Sequence, residues 1–194
     1  LAKITRNISS AKIIGITGQS GKGKSTFTKL LLKLYKIDGG TIIIDNENID
    51  HIDPDYLREH ITYINQNSRL FDKTVLENIL YGCKDEDVCK EYYNEILQYP
   101  KVKELYQNVK LEDDLAGYSG EKISGGQRQI ANIISGLANP SKILILDEPT
   151  NALDKELKME LLEIIRVFKQ HKQCIFIITH DKDVYPLFDE QLKL

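Results

Sequence analysis

Gly18-Gln19-Ser20-Gly21-Lys22-Gly23-Lys24-Ser25-Thr26 stands between two apolar stretches of different rhythm. Before it, Ile13-Ile14-Gly15-Ile16-Thr17 reads as a short strand. After it, Phe27 to Leu34 reads as an amphipathic helix. Strand, glycine loop and helix start, in that order, are the context a phosphate-binding loop needs. Gly18, Gly21 and Gly23 let the backbone curl until successive N–H groups point inward. With the helix N-terminus behind them, those donors make a site for the β- and γ-phosphates of a nucleotide. Lys24 adds a full positive charge there, and the Ser25 hydroxyl a ligand for Mg²⁺. The bland reading, a glycine-rich turn that only joins strand to helix, loses ground as the residues downstream are taken in.

The 194 residues suffice for one generous domain, or a core plus a subdomain, with a sizeable hydrophobic centre. A net charge of −3 without any Lys/Arg block argues against a polyanion-binding surface. Cys83, Cys89 and Cys174 form no C-x-x-C pair and are odd in number, so they read as ordinary thiols of a reducing compartment rather than as a zinc site or disulfide framework. No run approaches the ~18 apolar residues of a membrane span, and no signal-peptide pattern is present. The chain opens on Leu1 and its single methionine is Met159, which reads as a piece of something longer.

Residues 1–12 have room for one further strand. Beyond the loop helix, Asp38-Gly39-Gly40 marks a turn and Thr41–Asp45 a β-branched strand. Asp53-Pro54 reads as the cap and first position of a short helix, followed by a strand at Ile61–Ile64 that leads to Gln66. Thr74-Val75-Leu76-Glu77 is a capping box, and Asp85 to about Asn108 is helical with a break at Pro100. Tyr92, Tyr93, Tyr99 and Tyr106 read there as half-buried packing residues. Residues 111–123 are loop-like. Ser124 and Gln127 form a second capping box ahead of the stripe Ile130, Ile133, Ile134 and Leu137. Ile143–Leu146 is a continuous apolar run, typical of a strand covered on both faces, and it runs into Asp147-Glu148. A helix over Lys155–Lys169 and a buried strand over Cys174–Thr179, ending at His180, complete the pattern. Strands alternating with helices give an α/β domain with a mainly parallel sheet, in which ligands sit at the carboxyl ends of strands. Lys24, Asp147, Glu148 and His180 all come after a strand.

These stretches together resemble the nucleotide-binding domain of ATP-binding-cassette (ABC) proteins over nearly the whole chain. The resemblance rests on the loop GQSGKGKST, Gln66, ISGGQ at Ile123–Gln127, ILILDE at Ile143–Glu148, ALD at Ala152–Asp154, and His180. Leu70 to Gly82 looks like the exporter branch. The resemblance implies a P-loop NTPase core with a small antiparallel β subdomain and an inserted α-helical subdomain over about 68–138, the membrane-spanning part lying outside this segment. It implies ATP, held by Gly18 through Thr26, by Gln66 and His180, and by Ser124, Gly125, Gly126, Gln127 and Asp154. It implies Mg²⁺ on Ser25, Gln66 and Asp147, and catalysis by Glu148 as general base with His180, Gln66 and Lys24. Read alone, His180 is a core histidine and Gln66 a solvated loop glutamine, whereas Glu148, with Asp147 beside it, reads as a general base ahead of its bland alternative, a turn cap.

The signature is a helix N-terminus and hence a second anion site. In the family it faces the P-loop of a second, identical or different, nucleotide-binding domain, so ATP joins two copies head to tail, with Asp154 at the crossing. The implied partners are that second domain and an exporter's transmembrane domain, without nucleic acid, at the cytoplasmic face of a membrane. The chain also departs from the pattern. Residues 1–23 hold none of the aromatics that stack on adenine in the family, Tyr118 stands where exporters carry Glu, Ile130 and Ser135 stand where arginines are common, and Lys22 is an unusual charge in the loop. Two other readings are a soluble ABC ATPase of DNA repair or translation, and a regulatory module that binds nucleotide without turnover. Against the first, the Gln66–Ser124 insert is of transporter size and the chain carries no C-x-x-C pair of the kind a zinc-binding insertion needs. Against the second, Glu148 and His180 are intact.

Overall fold

The computed structural model describes residues 5, 7–8, 11–19 and 21–194. The strand expected within residues 1–12 therefore lies mostly outside the described residues, as does Ser20 of the glycine loop. The chain runs β1 (Lys12–Thr17), α1 (Lys24–Leu31), β2 (Ile43–Ile44), β3 (Glu47–Asn48), α2 (Pro54–His60), β4 (Ile61–Ile64), α3 (Val75–Ile79), α4 (Glu86–Ile96), α5 (Pro100–Leu105), α6 (Gly125–Ala138), β5 (Ile143–Asp147), α7 (Lys155–Phe168), β6 (Cys174–Ile178) and β7 (Glu190–Lys193).

The main sheet has the order β4-β5-β6-β1-β7, and every pairing in it is parallel. All five strands thus end on the same edge. The register sets Ile16 and Asp147 both opposite Ile178, and Ile64 opposite Leu146, so the turns leaving these strands emerge at one level. Side chains alternate between two faces, and both faces are covered, which explains the unbroken apolar runs. Ile13, Leu144, Leu146, Ile175 and Ile177 pack with Ile133, Ile134 and Leu137 of α6 and Leu161, Ile165 and Phe168 of α7. Ile14, Ile16, Ile145, Phe176 and Ile178 pack with Leu31 of α1, Ile49 and Leu57. Each fully buried aliphatic or aromatic side chain contributes about 1.5–3 kcal/mol, so the sheet edge rests on a rigid double core. At Gly136 the packing of α6 on the sheet is close: a Cβ there would come within 2.9 Å of Ile64 Cγ1 and Leu144 Cδ1.

The expected helix starts are present. Asp53 accepts from Asp55 N with Pro54 in the first turn of α2, while Thr74/Glu77 and Ser124/Gln127 form full capping boxes on α3 and α6. Pro100 opens α5 after α4 has ended. The small antiparallel unit is a two-residue pairing of β2 with β3. It is shorter than the expected Thr41–Asp45 strand because Asp45 and Asn46 adopt positive φ and turn the chain. The first helix opens at Lys24 and closes at Leu31, three residues short of the expected Leu34; Lys33 at φ 53° ends it and leaves Leu34 exposed. The edge strand β7 escapes a reading of the sequence, since a polar strand of four residues carries no alternation signal.

The cysteines require a correction. Cys83 and Cys89 form a disulfide, with Cα atoms 6.6 Å apart, and only Cys174 is a free, buried thiol. The reason is local. Asp85 caps α4 by accepting from Val88 N, which folds the first turn of the helix back over Cys83. A spacing of six residues matches no recognised cysteine pattern, so spacing rules pass over it. No helix among the described residues is long and apolar enough to cross a membrane.

Candidate functional site

The glycine loop leaves β1 at Thr17 and re-enters regular structure at Lys24. Gly18 (φ 150°), Gly21 (φ 80°) and Gly23 (φ 98°) bend it. At Gly18 a Cβ would lie 2.5 Å from the backbone oxygen of Leu194, beyond the end of β7, so only glycine lets the loop pass this close. Gly23 ends the loop in a left-handed conformation and brings no side-chain acceptor to the first turn of α1, which also holds no acidic residue. The first N–H groups of α1, those of Lys24, Ser25 and Thr26, are thus donors without an intrahelical partner. Lys24 Nζ curls over the loop, donating to Gly18 O at 2.7 Å and Gln19 O at 3.2 Å, and Lys22 N donates to Gln19 O. Lys22, Gln19 and Ser25 are exposed. Amides, a helix N-terminus and one ammonium are the donor set for a polyphosphate.

Two strands across, β5 delivers Asp147. Burial pushes its carboxyl above the ordinary aspartate range. The neighbouring Glu148 charge adds to that, while the Tyr63 hydroxyl, donating to Oδ2 at 3.1 Å, and the Lys24 charge oppose it. Burial and the Asp147 charge in turn raise the Tyr63 phenol, so it remains a donor. Among the described residues no cluster of three or more His, Cys, Asp and Glu side chains could hold a metal ion. The oxygen donors that could hold a divalent cation here are the Asp147 carboxylate, the Ser25 hydroxyl and the Gln66 amide, together with phosphate oxygens of a nucleotide. Such hard-oxygen donors, few of them from the protein, suit Mg²⁺, which keeps several waters.

Glu148 comes directly after and takes a left-handed backbone conformation, φ 51°, which costs a non-glycine residue about 1 kcal/mol or more. Its N–H donates to Ile178 O at 2.8 Å, tying the turn to β6. The side chain, in a residue only 8% exposed, has both oxygens engaged: Oε1 lies 2.7 Å from His180 Nδ1, and Oε2 accepts from Thr179 Oγ1 at 3.0 Å. The His180 side chain is 74% exposed, so it projects from the sheet edge and is no core histidine. Gln66 sits in the exposed turn after β4, and its side chain makes no hydrogen bond among the described residues. P-loop, Gln66, Asp147, Glu148 and His180 therefore share one edge of the sheet.

The signature lies in a second group. Ser124 Oγ accepts from Gln127 N at 3.1 Å, and Gln127 Oε1 accepts from Ser124 N at 2.8 Å. Gln127 Nε2 reaches Leu105 O, and Tyr106 donates its hydroxyl proton to Gln127 O. Cβ atoms on Gly125 and Gly126 would meet Ala152 and Leu153, so the helix start leans on the turn before α7. Asp154 caps α7, accepting from Leu157 N at 2.9 Å. Asp154 thus directly follows the turn on which the signature packs. Motif reading passes over Tyr63, Thr179 and the hydrogen bond of Tyr106. None carries a motif spacing; the only available signal is that Tyr63 shares a strand with Gln66's turn and Thr179 adjoins His180.

A parallel sheet whose carboxyl edge bears a glycine loop, its lysine and two adjacent carboxylates defines a P-loop nucleotide-binding α/β domain. The model of the ABC transporter family matches residues 1–151, and the chain belongs to that family. It is 39% identical over 163 residues to a Rickettsia typhi protein named for export, ATP-binding and permease functions, covering 82% of this chain and 27% of that one. It is 36% identical over 176 residues to an ATP-dependent lipid A-core flippase of Methylococcus capsulatus, covering 89% of this chain and 29% of that one. The structure of a bacterial Atm1-family ABC exporter with ATP bound superposes with a TM-score of 0.85 at 29% identity, covering 95% of this chain and 32% of that one. This chain therefore spans about a third or less of these relatives.

Proposed function

We propose that this domain binds ATP with Mg²⁺ and hydrolyses it to power export across a membrane, as the motor of a longer transporter. Lys24 and the loop amides from Gly18 to Thr26, Ser20 among them, hold the β- and γ-phosphates. Ser25, Gln66 and Asp147 would hold a Mg²⁺ ion, which would supply charge neutralisation at the phosphates. Glu148 takes the proton of the attacking water, Gln66 orients that water, and His180 donates to the γ-phosphate. Most of the rate in such transfer comes from positioning and charge stabilisation. The segment of about 68–138 is the helical subdomain that carries the signature.

Within one copy the signature leans on the turn before α7 rather than on its own P-loop, and this supports a dimer. Ser124 to Gln127 of one copy close on the γ-phosphate held by Lys24 of another, with Asp154 at the crossing. The γ-phosphate joins two bodies only while it exists, so hydrolysis releases them. The second domain is a like or unlike copy, the other partner a transmembrane domain, and the site the cytoplasmic face of its membrane. Relatives named for export and lipid flipping favour this over a soluble ATPase of DNA repair or translation.

The observation that carries the reading is Glu148, held beside Asp147 in a left-handed turn with its carboxylate fixed at both oxygens. In the full-length transporter, Glu148→Gln lowers ATP turnover by roughly two to four orders of magnitude and leaves ATP binding intact. Wild-type turnover in that variant would remove Glu148 from the chemistry.

A further inference from the structure

Resting on the reading of Glu148 as the base, we infer that Thr179 is the positioning residue that aims it. Thr179 comes after the last residue of β6 and is 0% exposed, so its hydroxyl has no water to turn to. That hydroxyl is used twice. It accepts from Asp181 N at 3.0 Å and stands 3.0 Å from Glu148 Oε2. A backbone N–H can only donate, so the hydroxyl's single proton is directed at the carboxylate. Glu148 Oε1 is meanwhile in contact with His180, whose ring is largely exposed and, in the proposed reading, turns to the γ-phosphate. When His180 leaves, Thr179 is the remaining side chain that hydrogen-bonds the base.

Thr179 is itself held. Its N–H donates to Ile16 O in β1, the strand that carries the P-loop. Asp181, whose N–H it accepts, receives Thr150 Oγ1 at 3.1 Å and Lys158 Nζ at 3.0 Å. A fixed chain thus runs from α7 through Asp181 and Thr179 to the Glu148 carboxylate. A base displaced by even about 1 Å loses orders of magnitude. Thr179 does this without touching nucleotide, because it lies buried under the base.

The test is steady-state ATP hydrolysis by the full-length transporter carrying Thr179→Val, Thr179→Ser, and each of these with Glu148→Gln. Thr179→Val is expected to lower kcat about tenfold or more, within what a positioned base supplies, with KM for ATP unchanged within twofold. Thr179→Ser, which keeps the hydroxyl, is expected to restore at least half of the wild-type kcat. In the Glu148→Gln background, Thr179→Val is expected to cost nothing further, as for two residues acting through one step. Melting temperatures verify folding, and should Thr179→Val not fold, Thr179→Ala is read by the same criteria. Unchanged kcat, a raised KM, failure of Ser to restore, or an equal loss in the Glu148→Gln background would each overturn the inference. Failure of the base reading is seen separately, as full turnover by Glu148→Gln alone.

Discussion

At the residue scale, Lys172 is a cation in a place that does not welcome one. It is 4% exposed, and its ammonium donates to the carbonyl of Asn139, the residue that ends α6. No carboxylate pairs with it among the described residues, and burial pushes it down to about 8 from the ordinary lysine range. The unfolded chain therefore holds this proton more tightly than the folded one between about pH 8 and the usual lysine value. The folded state carries the full cost of the charge below about pH 8, and is relieved of it as pH rises through that window. Lys172→Met removes the group. Thermal melts between pH 7 and pH 10 are expected to find the variant's advantage over wild type largest at the low end and shrinking toward the high end. A difference that stays flat with pH would mean that the ammonium is not desolvated.

Elements hold the site by two devices that differ in kind. One is contact: α6 lies on β4 and β5 only because Gly136 presents no Cβ to Ile64 and Leu144. Gly136→Ala raises the helix propensity of α6 but forces neighbouring side chains to move, and overpacking of this kind costs about 1–3 kcal/mol. The expected outcome is a lower melting temperature, and a rise would show that the two layers give way easily. The other device is covalent. The Cys83–Cys89 bond ties the turn after α3 to the first turn of α4, and Gly82 O in that turn accepts from Asn139 Nδ2 at the far end of α6. A loop this short loses about 2 kcal/mol of denatured-state entropy when closed. Dithiothreitol is accordingly expected to lower the melting temperature of the wild-type protein and to leave Cys83→Ser/Cys89→Ser unaffected. Equal behaviour of the two proteins under reductant would contradict the bond.

At the scale of the whole molecule, the residues proposed to act on ATP come from two places in the fold. The P-loop, Asp147, Glu148 and His180 share the carboxyl edge of the sheet, whereas Ser124 to Gln127 lean on Ala152 and Leu153. The proposed head-to-tail dimer completes each site from the other copy. Lys22 and Ser124 are both exposed, so Lys22→Cys and Ser124→Cys in full-length transporters carrying Glu148→Gln are expected to cross-link between copies with ATP and not without it. Cross-linking indifferent to ATP would break the proposal that nucleotide is the joint.

Much of this was legible in the linear chain because the signals are local. A capping box needs residues three apart, so Thr74 with Glu77 and Ser124 with Gln127 announced α3 and α6. A strand covered on both faces must be apolar throughout, so Ile143–Leu146 announced β5, and the glycine loop was recognisable from the strand and helix that flank it. What tertiary structure alone decided are the pairings between distant stretches. The Tyr63 hydroxyl reaches Asp147, Thr179 reaches Glu148, and β7 joins β1 as an edge. Cys83 meets Cys89 only because Asp85 turns the chain between them. Such contacts depend on which strands lie side by side and in what register, and neither is written in any short stretch of residues.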